Sequence, residues 1–523
     1  VVSTVNGLEE ELAKVRGQLA SLESQVARGY AEIGDDIPSA AMIPISAQGD
    51  GVTDEEAHML RRLWTVWSER RIDNYRRIKY RSGKNIVEDL GLAFKNSNMI
   101  ASRIRPVCGW PAKAVEELAD LSRLDYVTFP DDGADDDLLS AWEENDVDTL
   151  YAMAADSQLT EGIVHWTVTA GDPSEGEPAV IVNAYSALSS ASVWDRRHKR
   201  IAYGLVINDL DEHGDPTEVT LHARDHVLVM TRNNGVWYSA RSEHGMGRCL
   251  MEPMPYRPTL DKPLGKSRIT RAVMSITDNA VREVMRSEVA AEVYTTPKRA
   301  ILGLKPSQLP KDPKTYWNAI DALPLTDAGT NPQYVQLTPP GMNDHILYMR
   351  QLAAQFAGET RLPLSSLGVI SENPSSAEAI YAAKEGLIIE AENMNRSNSR
   401  AIRNVALMIM AIAKNTSVDD LPDDLRRVRP HWVKPDREAQ PTRVDSAVKL
   451  ASAIDGFSQT KEMLRMSGFD EGEVERIVSE MGRGRGLSTF AELLGNEPAT
   501  FPFQNDETVE TVEPELVDEN VAV

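Results

Sequence analysis

The residues that could do chemistry are few, and their spacing does not suit it. Gly265, Lys266 and Ser267 open a helical pattern, as the end of a nucleotide-cradling phosphate loop does. That loop requires a glycine five residues before Gly265, where Leu260 stands, and a preceding buried strand, where the chain is proline-rich. A helix N-cap is the better account of the triplet. The nine histidines include no His-Glu-x-x-His pair, and His222 and His226 fall in a strand–turn pattern. Acidic residues crowd Asp131 to Asp137 without the order of a calcium loop ending in Glu, so this stretch reads as a solvated loop or at most an opportunistic cation site. No Gly-x-Ser-x-Gly elbow occurs. Cys108 and Cys249 are the only cysteines, with no histidine nearby at ligand spacing, and read as reduced, structural thiols of a cytoplasmic compartment. The expectation is a protein that is not an enzyme, with no catalytic residue, no metal and no cofactor.

Composition agrees with a non-catalytic role. The 523 residues suffice for two to four domains, and the formal charge of −24 argues against a protein that grips nucleic acid through clustered Lys and Arg. Seven acids and no base lie between Asp506 and Glu519, yet the rest of the chain is acidic as well. An acidic wall repels a phosphate backbone, which suits a conduit better than a clamp. No apolar run approaches the roughly 18 residues of a membrane span, and no basic-then-apolar signal pattern opens the chain, so secretion is not expected.

Several elements position these residues. Val5, Leu8, Leu12, Val15, Leu19, Leu22 and Val26 follow a 3, 4 spacing, either a helix docked on its own subunit or a short coiled coil; Gly17 and Gly29 weaken the latter. Residues 31–52 read as a linker. Thr53 and Glu56 then form a capping box for a helix whose stripe of Leu60, Leu63, Trp64, Trp67 and Ile72 faces a core. Arginines alternate with aromatics there, a mixture that can also contact nucleic acid, although a solvated basic face is the stronger reading. Further helices are predicted at 97–104, 110–124 and 136–158. From Gly162 to Ala240 the period becomes two, giving a mainly antiparallel β layer, after which Pro253, Pro255, Pro258 and Pro263 end regular structure. A helix of roughly 40 Å follows from Ser267 to about Tyr294. Next come an insert with strands at 299–303 and 334–337 around a short helix near 313–322, a helix at 343–360, and a polar loop. A helix of about 58 Å then runs to Lys414, a length more at home crossing an assembly than inside a compact monomer. Shorter helices are predicted at 442–454, 458–466, 470–481 and 489–494, and disorder beyond 496.

The order of these elements resembles that of tailed-bacteriophage portal proteins, in particular the branch found in siphophages of actinobacteria. The resemblance covers roughly Thr53 to Leu494. It rests on GWPAKAVEELA (109–119), AWEEN (141–145), VWDRR (193–197), PLGKSRI (263–269), RLP (361–363) and NPSSAEAI (373–380) as an ordered set. It implies an α+β portal-type fold with a wing at 53–266, stem helices at 267–297 and 342–361, a small α/β clip at 298–341, a tunnel loop at 362–376 and a helical crown at 377–495. Residues 1–52 would be an N-terminal extension and 496–523 an acidic tail. The implied function is a ring, a homododecamer in this family, that carries double-stranded DNA through one capsid vertex during packaging and ejection. Its implied partners are further copies of itself, the major capsid protein, the large terminase subunit, a head-completion or adaptor protein, and DNA without sequence specificity. The implied location is the virion, reached from the host cytoplasm during assembly, with no membrane contact.

A stem of about 40 Å would face roughly 24 duplex charges, and firm phosphate contacts repeated around a ring would stall translocation. Weak polar contact is therefore expected, and Ser365, Ser366, Glu372, Asn373, Ser375 and Ser376 of the loop could offer it. Arg268, Arg271, Arg282 and Arg286 could face DNA or pair between subunits with Glu283, Glu288 or Glu292. The competing readings are a coiled-coil scaffold or adaptor, resting on the N-terminal heptads, and a nucleic-acid enzyme with a metal–carboxylate cluster in the β layer.

Overall fold

Thr53 starts the first long helix as a capping box: its side chain accepts the Glu56 N–H at 3.3 Å while Glu56 accepts the Thr53 N–H at 2.7 Å. The structure, a computed structural model, describes residues 46–85, 106–129, 135–211, 215–295, 299–302, 333–336, 342–369, 377–435, 440–454, 456–469, 473–474 and 476–481. Two units divide the chain, Val1–Pro435 and Asp436–Val523. The heptad segment 5–26, the helices expected at 97–104, 313–322 and 489–494, and the tail lie outside the described residues.

The first unit begins with β1 (Gln48–Gly49), α1 (Asp54–Arg81), α2 (Trp110–Ala119), β2 (Leu124–Thr128), α3 (Asp136–Glu144) and α4 (Val147–Glu161). Eight strands follow: β3 (Ile163–Ala170), β4 (Val180–Ser186), β5 (Ser190–Asp195), β6 (Arg200–Leu210), β7 (Pro216–His222), β8 (His226–Asn233), β9 (Val236–Glu243) and β10 (Met251–Pro255). The unit continues with α5 (Arg271–Thr295), β11 (Arg299–Leu302), β12 (Gln333–Gln336), α6 (Asn343–Thr360), α7 (Ala377–Ala413) and β13 (Arg429–Trp432). The second unit contains α8 (Gln440–Ala453) and α9 (Lys461–Ser467), the latter capped by Thr460. Helices and mainly antiparallel sheets are thus both present, an α+β chain.

A six-stranded sheet, order β1-β9-β8-β7-β6-β5, is antiparallel except at β1. Leu60, Leu63 and Trp67 of α1 pack onto Leu205, Val219, Leu221 and Leu228 of this sheet. Ile72, expected in the same stripe, is exposed, because at about 100° per residue it lies roughly 140° round the helix from Trp67, and the inward position there belongs to buried Asn74. A three-stranded sheet, order β10-β3-β4, meets α4 and α7 in the main core. Residues Ala401 to Ala411 of α7 supply much of that core, so a helix of roughly 55 Å is accommodated as the spine of its own chain.

Four local expectations change. Residues 48–49 of the expected linker pair with β9. The helix expected at 136–158 is two helices, broken where Asp146 adopts φ +47° and Asn145 bonds outward to the backbone of Val180 and Val182. The helix expected to reach 124 stops at Ala119, because Leu124–Thr128 is drawn into a ladder with Arg429–Trp432, about 300 residues later. Pro253 and Pro255 do not end structure but lie in β10, which is tolerable because β10 is an edge strand whose missing N–H groups need no partner.

Between α1 and the β4–β5 connection lies a buried polar seam. Trp67 Nε1 donates to Leu188 O at 2.6 Å, Asn74 Nδ2 to Ala187 O, and Arg77 Nη1 to Glu161 O. Glu161 is buried there and its Oε2 has no hydrogen-bond partner among the described residues. Burial pushes its carboxyl up to about 7, so the folded state holds a proton that the unfolded chain releases near pH 4.5. Its contribution to stability is full below 4.5 and is lost as pH rises through 7. Burial acts oppositely on His165 and His222, holding them at about 3 and about 4, so their contribution is lost as pH falls below 6.5. Glu161→Gln should therefore gain about 3 kcal/mol over the wild type between pH 4.5 and 7. Urea denaturation of both proteins across that range checks it, and a constant difference would refute it.

Candidate functional site

The α5–α6 hairpin meets the body of its unit through core packing of Val273, Ala353 and Phe356, a Tyr80–Asp278 hydrogen bond at 2.8 Å and, at its base, one buried guanidinium. Gly162 ends α4 at φ +100°, and Gly265 crosses it at φ +77°; a Cβ on Gly265 would stand 2.6 Å from Gly162 O. Tyr256 N–H donates to Gly162 O and Lys266 N–H to Tyr256 O, both at 2.9 Å. The Gly265–Ser267 triplet is therefore a close backbone crossing rather than a helix cap. The cap falls at Thr270, whose Oγ1 accepts the Val273 N–H at 3.3 Å, and α5 begins at Arg271.

This crossing delivers Arg268 into the interior. Its Nε donates to Ala114 O of α2 at 2.6 Å, and its Nη1 to Tyr256 Oη at 3.0 Å and Glu390 Oε1 of α7 at 2.8 Å. Nη2 donates to Thr360 O at the end of α6, where the last carbonyls of a helix favour a cation. Glu390 also accepts from the Tyr256 hydroxyl and pairs with Arg257 at 2.8 Å. Burial pushes the Tyr256 phenol up to about 12, with Glu390 adding to the rise and the Arg268 and Arg257 charges opposing it, so it remains a hydrogen-bond donor.

The loop starts at this junction. Arg361 ends α6 at φ +56°, and Leu364–Leu367 then forms a 3-10 turn held by buried Leu362, Pro363 and Leu367. Ser366 Oγ donates to Glu117 of α2 at 2.8 Å, while Ser365 is exposed. The first half of the expected polar loop is thus anchored on the core. Glu372, Asn373, Ser375 and Ser376 lie outside the described residues.

The hairpin charges separate into two groups. Arg271, Arg286 and Glu288 are exposed. Arg268 is only 5 % exposed and cannot face DNA or a second copy, because its whole guanidinium is used within the chain. Glu283 is buried between α5 and α6, with His345 Nδ1 at 2.6 Å and Arg286 at 3.7 Å, so its partners are in its own chain as well. Arg282 is half-buried and bonds Asn279 at 2.8 Å. The side chain of Glu292 lies outside the described residues. Among the described residues no group of three or more His, Cys, Asp or Glu could hold a metal ion, and no helix is long and apolar enough to cross a membrane.

No family model matches the chain. It is 26 % identical over 403 residues to the portal protein of Mycobacterium phage D29, covering 75 % of this chain and 82 % of that one. It is also 26 % identical over 398 residues to the portal protein of Mycobacterium phage L5, covering 72 % and 80 %. The chain is related to phage portal proteins. Among solved structures, a chain from the neck of an empty GTA particle covers 81 % of this chain and 99 % of its own length, with 14 % identity and a TM-score of 0.41.

Sequence reasoning missed Glu390 and Tyr256. The signal was present at Glu390, which shares the buried face of α7 with Leu387, Ala391 and Met394, where a carboxylate must have a partner. Arg268→Met should cost about 3–5 kcal/mol by leaving Glu390 buried with reduced pairing, and adding Glu390→Leu should restore much of that loss. Urea denaturation of the single and double variants reads this, and a single-variant cost below about 1 kcal/mol would refute it.

Proposed function

We propose that this relative of the phage portal proteins forms a ring-shaped channel at one capsid vertex, through which double-stranded DNA enters during packaging and leaves on ejection. The match to portal proteins over about three quarters of the chain carries the reading. The succession of α5, the β11–β12 pair, α6, the short turn and α7 supports it as stem, clip, stem, tunnel loop and crown helix. Residues 53–266 would form the wing. The role is structural rather than catalytic. Its partners would be other copies of the chain, the capsid, the terminase, a head-completion protein and non-specifically contacted DNA, and its location the virion.

In this reading the hairpin charges divide their labour. Arg268 and Glu283 hold the hairpin together and to the body, whereas Arg271, Arg286 and Glu288 are the charges available to a neighbouring copy or to the channel. Ser365 and the polar residues up to Ser376 would touch DNA weakly, since tight phosphate contacts would oppose sliding.

End-on electron micrographs of the purified protein should show closed rings with an open centre. Filaments or rods would overturn the channel reading in favour of a scaffold. Within that reading, Glu372→Gln phage should assemble rings normally but package or retain DNA differently; unchanged packaging and retention would remove Glu372 from the channel.

A further inference from the structure

The turn between β5 and β6 concentrates positive charge in an acidic chain. Residues 195–200 read DRRHKR. Asp195 builds the turn: its Oδ1 accepts the N–H groups of Arg197 at 2.8 Å and His198 at 3.1 Å, and its Oδ2 pairs with His198 Nδ1 at 2.6 Å. Arg196, Arg197 and Lys199 are exposed and have no ion-pair partner among the described residues. Arg400 of α7 adds a fourth cation: its guanidinium lies 5.6 Å from the centre of the Trp194 ring and donates to Lys199 O.

Arg196, Lys199 and Arg400 rim a groove of about 580 Å³ whose walls include Trp194, Pro255, Pro258 and Leu260. Leu260 is 97 % exposed, an aliphatic side chain with almost no cover of its own. The one acid on the lining, Glu252, is buried and bonded to Arg248 at 3.2 Å and Asn404 at 2.8 Å, so it offers no free carboxylate to repel a ligand.

Two features of this surface must be explained together: unpaired cations at the rim, and proline, tryptophan and leucine in the walls. A DNA backbone would use only the first. An acidic peptide with an apolar side chain uses both, through charge-assisted bonds at the rim and desolvation below it. We propose that this groove docks a partner protein through an acidic segment bearing an aliphatic or aromatic anchor. The docking site does not depend on the channel reading, because it lies on β5, α7 and the Pro253–Pro263 segment rather than on the α5–α6 hairpin.

The test is fluorescence anisotropy of the full chain with a short labelled peptide of Asp and Glu flanking one Leu. Wild-type protein should bind it in about 0.1 M salt. Arg196→Glu and Arg400→Glu, both at exposed positions, should each weaken binding at least about tenfold, as should Leu260→Ser or a Leu→Ser change in the peptide. Three outcomes would overturn the proposal: no binding to the wild type, binding indifferent to loss of the leucine anchor, or a labelled DNA duplex binding more tightly than the peptide with the same sensitivity to the Arg variants. The last would reassign the groove to nucleic acid.

Discussion

A guanidinium removed from water is tolerable only if its N–H groups find acceptors, and Arg268 satisfies that requirement by drawing four parts of the chain to one point. Ala114 of α2, Tyr256 after β10, Thr360 at the end of α6 and Glu390 of α7 all meet it. Glu390 is buried and without Arg268 would keep only the more exposed Arg257 and Arg361 and the Tyr256 hydroxyl as partners, so losing Arg268 alone is costly. The hairpin, the loop that follows it and the long helix are therefore mechanically tied. Movement at the loop beginning with Arg361 must be transmitted to, or resisted by, this junction.

The long helix repeats the same logic with neutral groups. Asn395 and Asn398 sit on its buried face among Met394, Ala401 and Ile402. Asn395 accepts from Ser122 at 2.6 Å, and Asn398 exchanges hydrogen bonds with Gln158 and donates to Tyr151 at 2.9 Å. An apolar stripe alone would permit α7 to slide by a turn against α4, since leucines and alanines pack in many registers. These amides permit one register, because any slip leaves buried polar groups unpaired. The helix is long enough to span an assembly, yet half of it is committed to the interior of its own chain.

Charge is distributed with similar economy. The chain is acidic overall, but its cations are not spread evenly over the surface. Arg268 and Arg248 are spent on buried carboxylates, while those of the β5–β6 turn remain exposed around an apolar groove. The hairpin too has exposed cations, Arg271 and Arg286, but the cluster on the β5–β6 turn lies on another element beside an apolar groove, which leaves it able to recognise something other than DNA.

Much of this architecture follows from local pattern. The capping box at Thr53, the period-two alternation after Gly162, the long apolar stripes of α5 and α7 and the absence of a usable phosphate loop could all be read from neighbouring residues, because caps, pleats and helical faces are local geometry. The family resemblance was likewise legible as an ordered set of segments. Other features were decided only by distant contacts. Leu124–Thr128 became a strand because Arg429–Trp432 supplied its partner, and Pro253 and Pro255 entered a strand because the sheet placed them on an edge. Arg268, which by type and position resembled a surface charge of a stem helix, is an interior one because a glycine crossing turns it inward toward Glu390. Sequence periodicity determines which face of an element is apolar, but the free energy of a buried charge depends on the groups that surround it, and two of those around Arg268, Ala114 and Glu390, come from positions more than a hundred residues away.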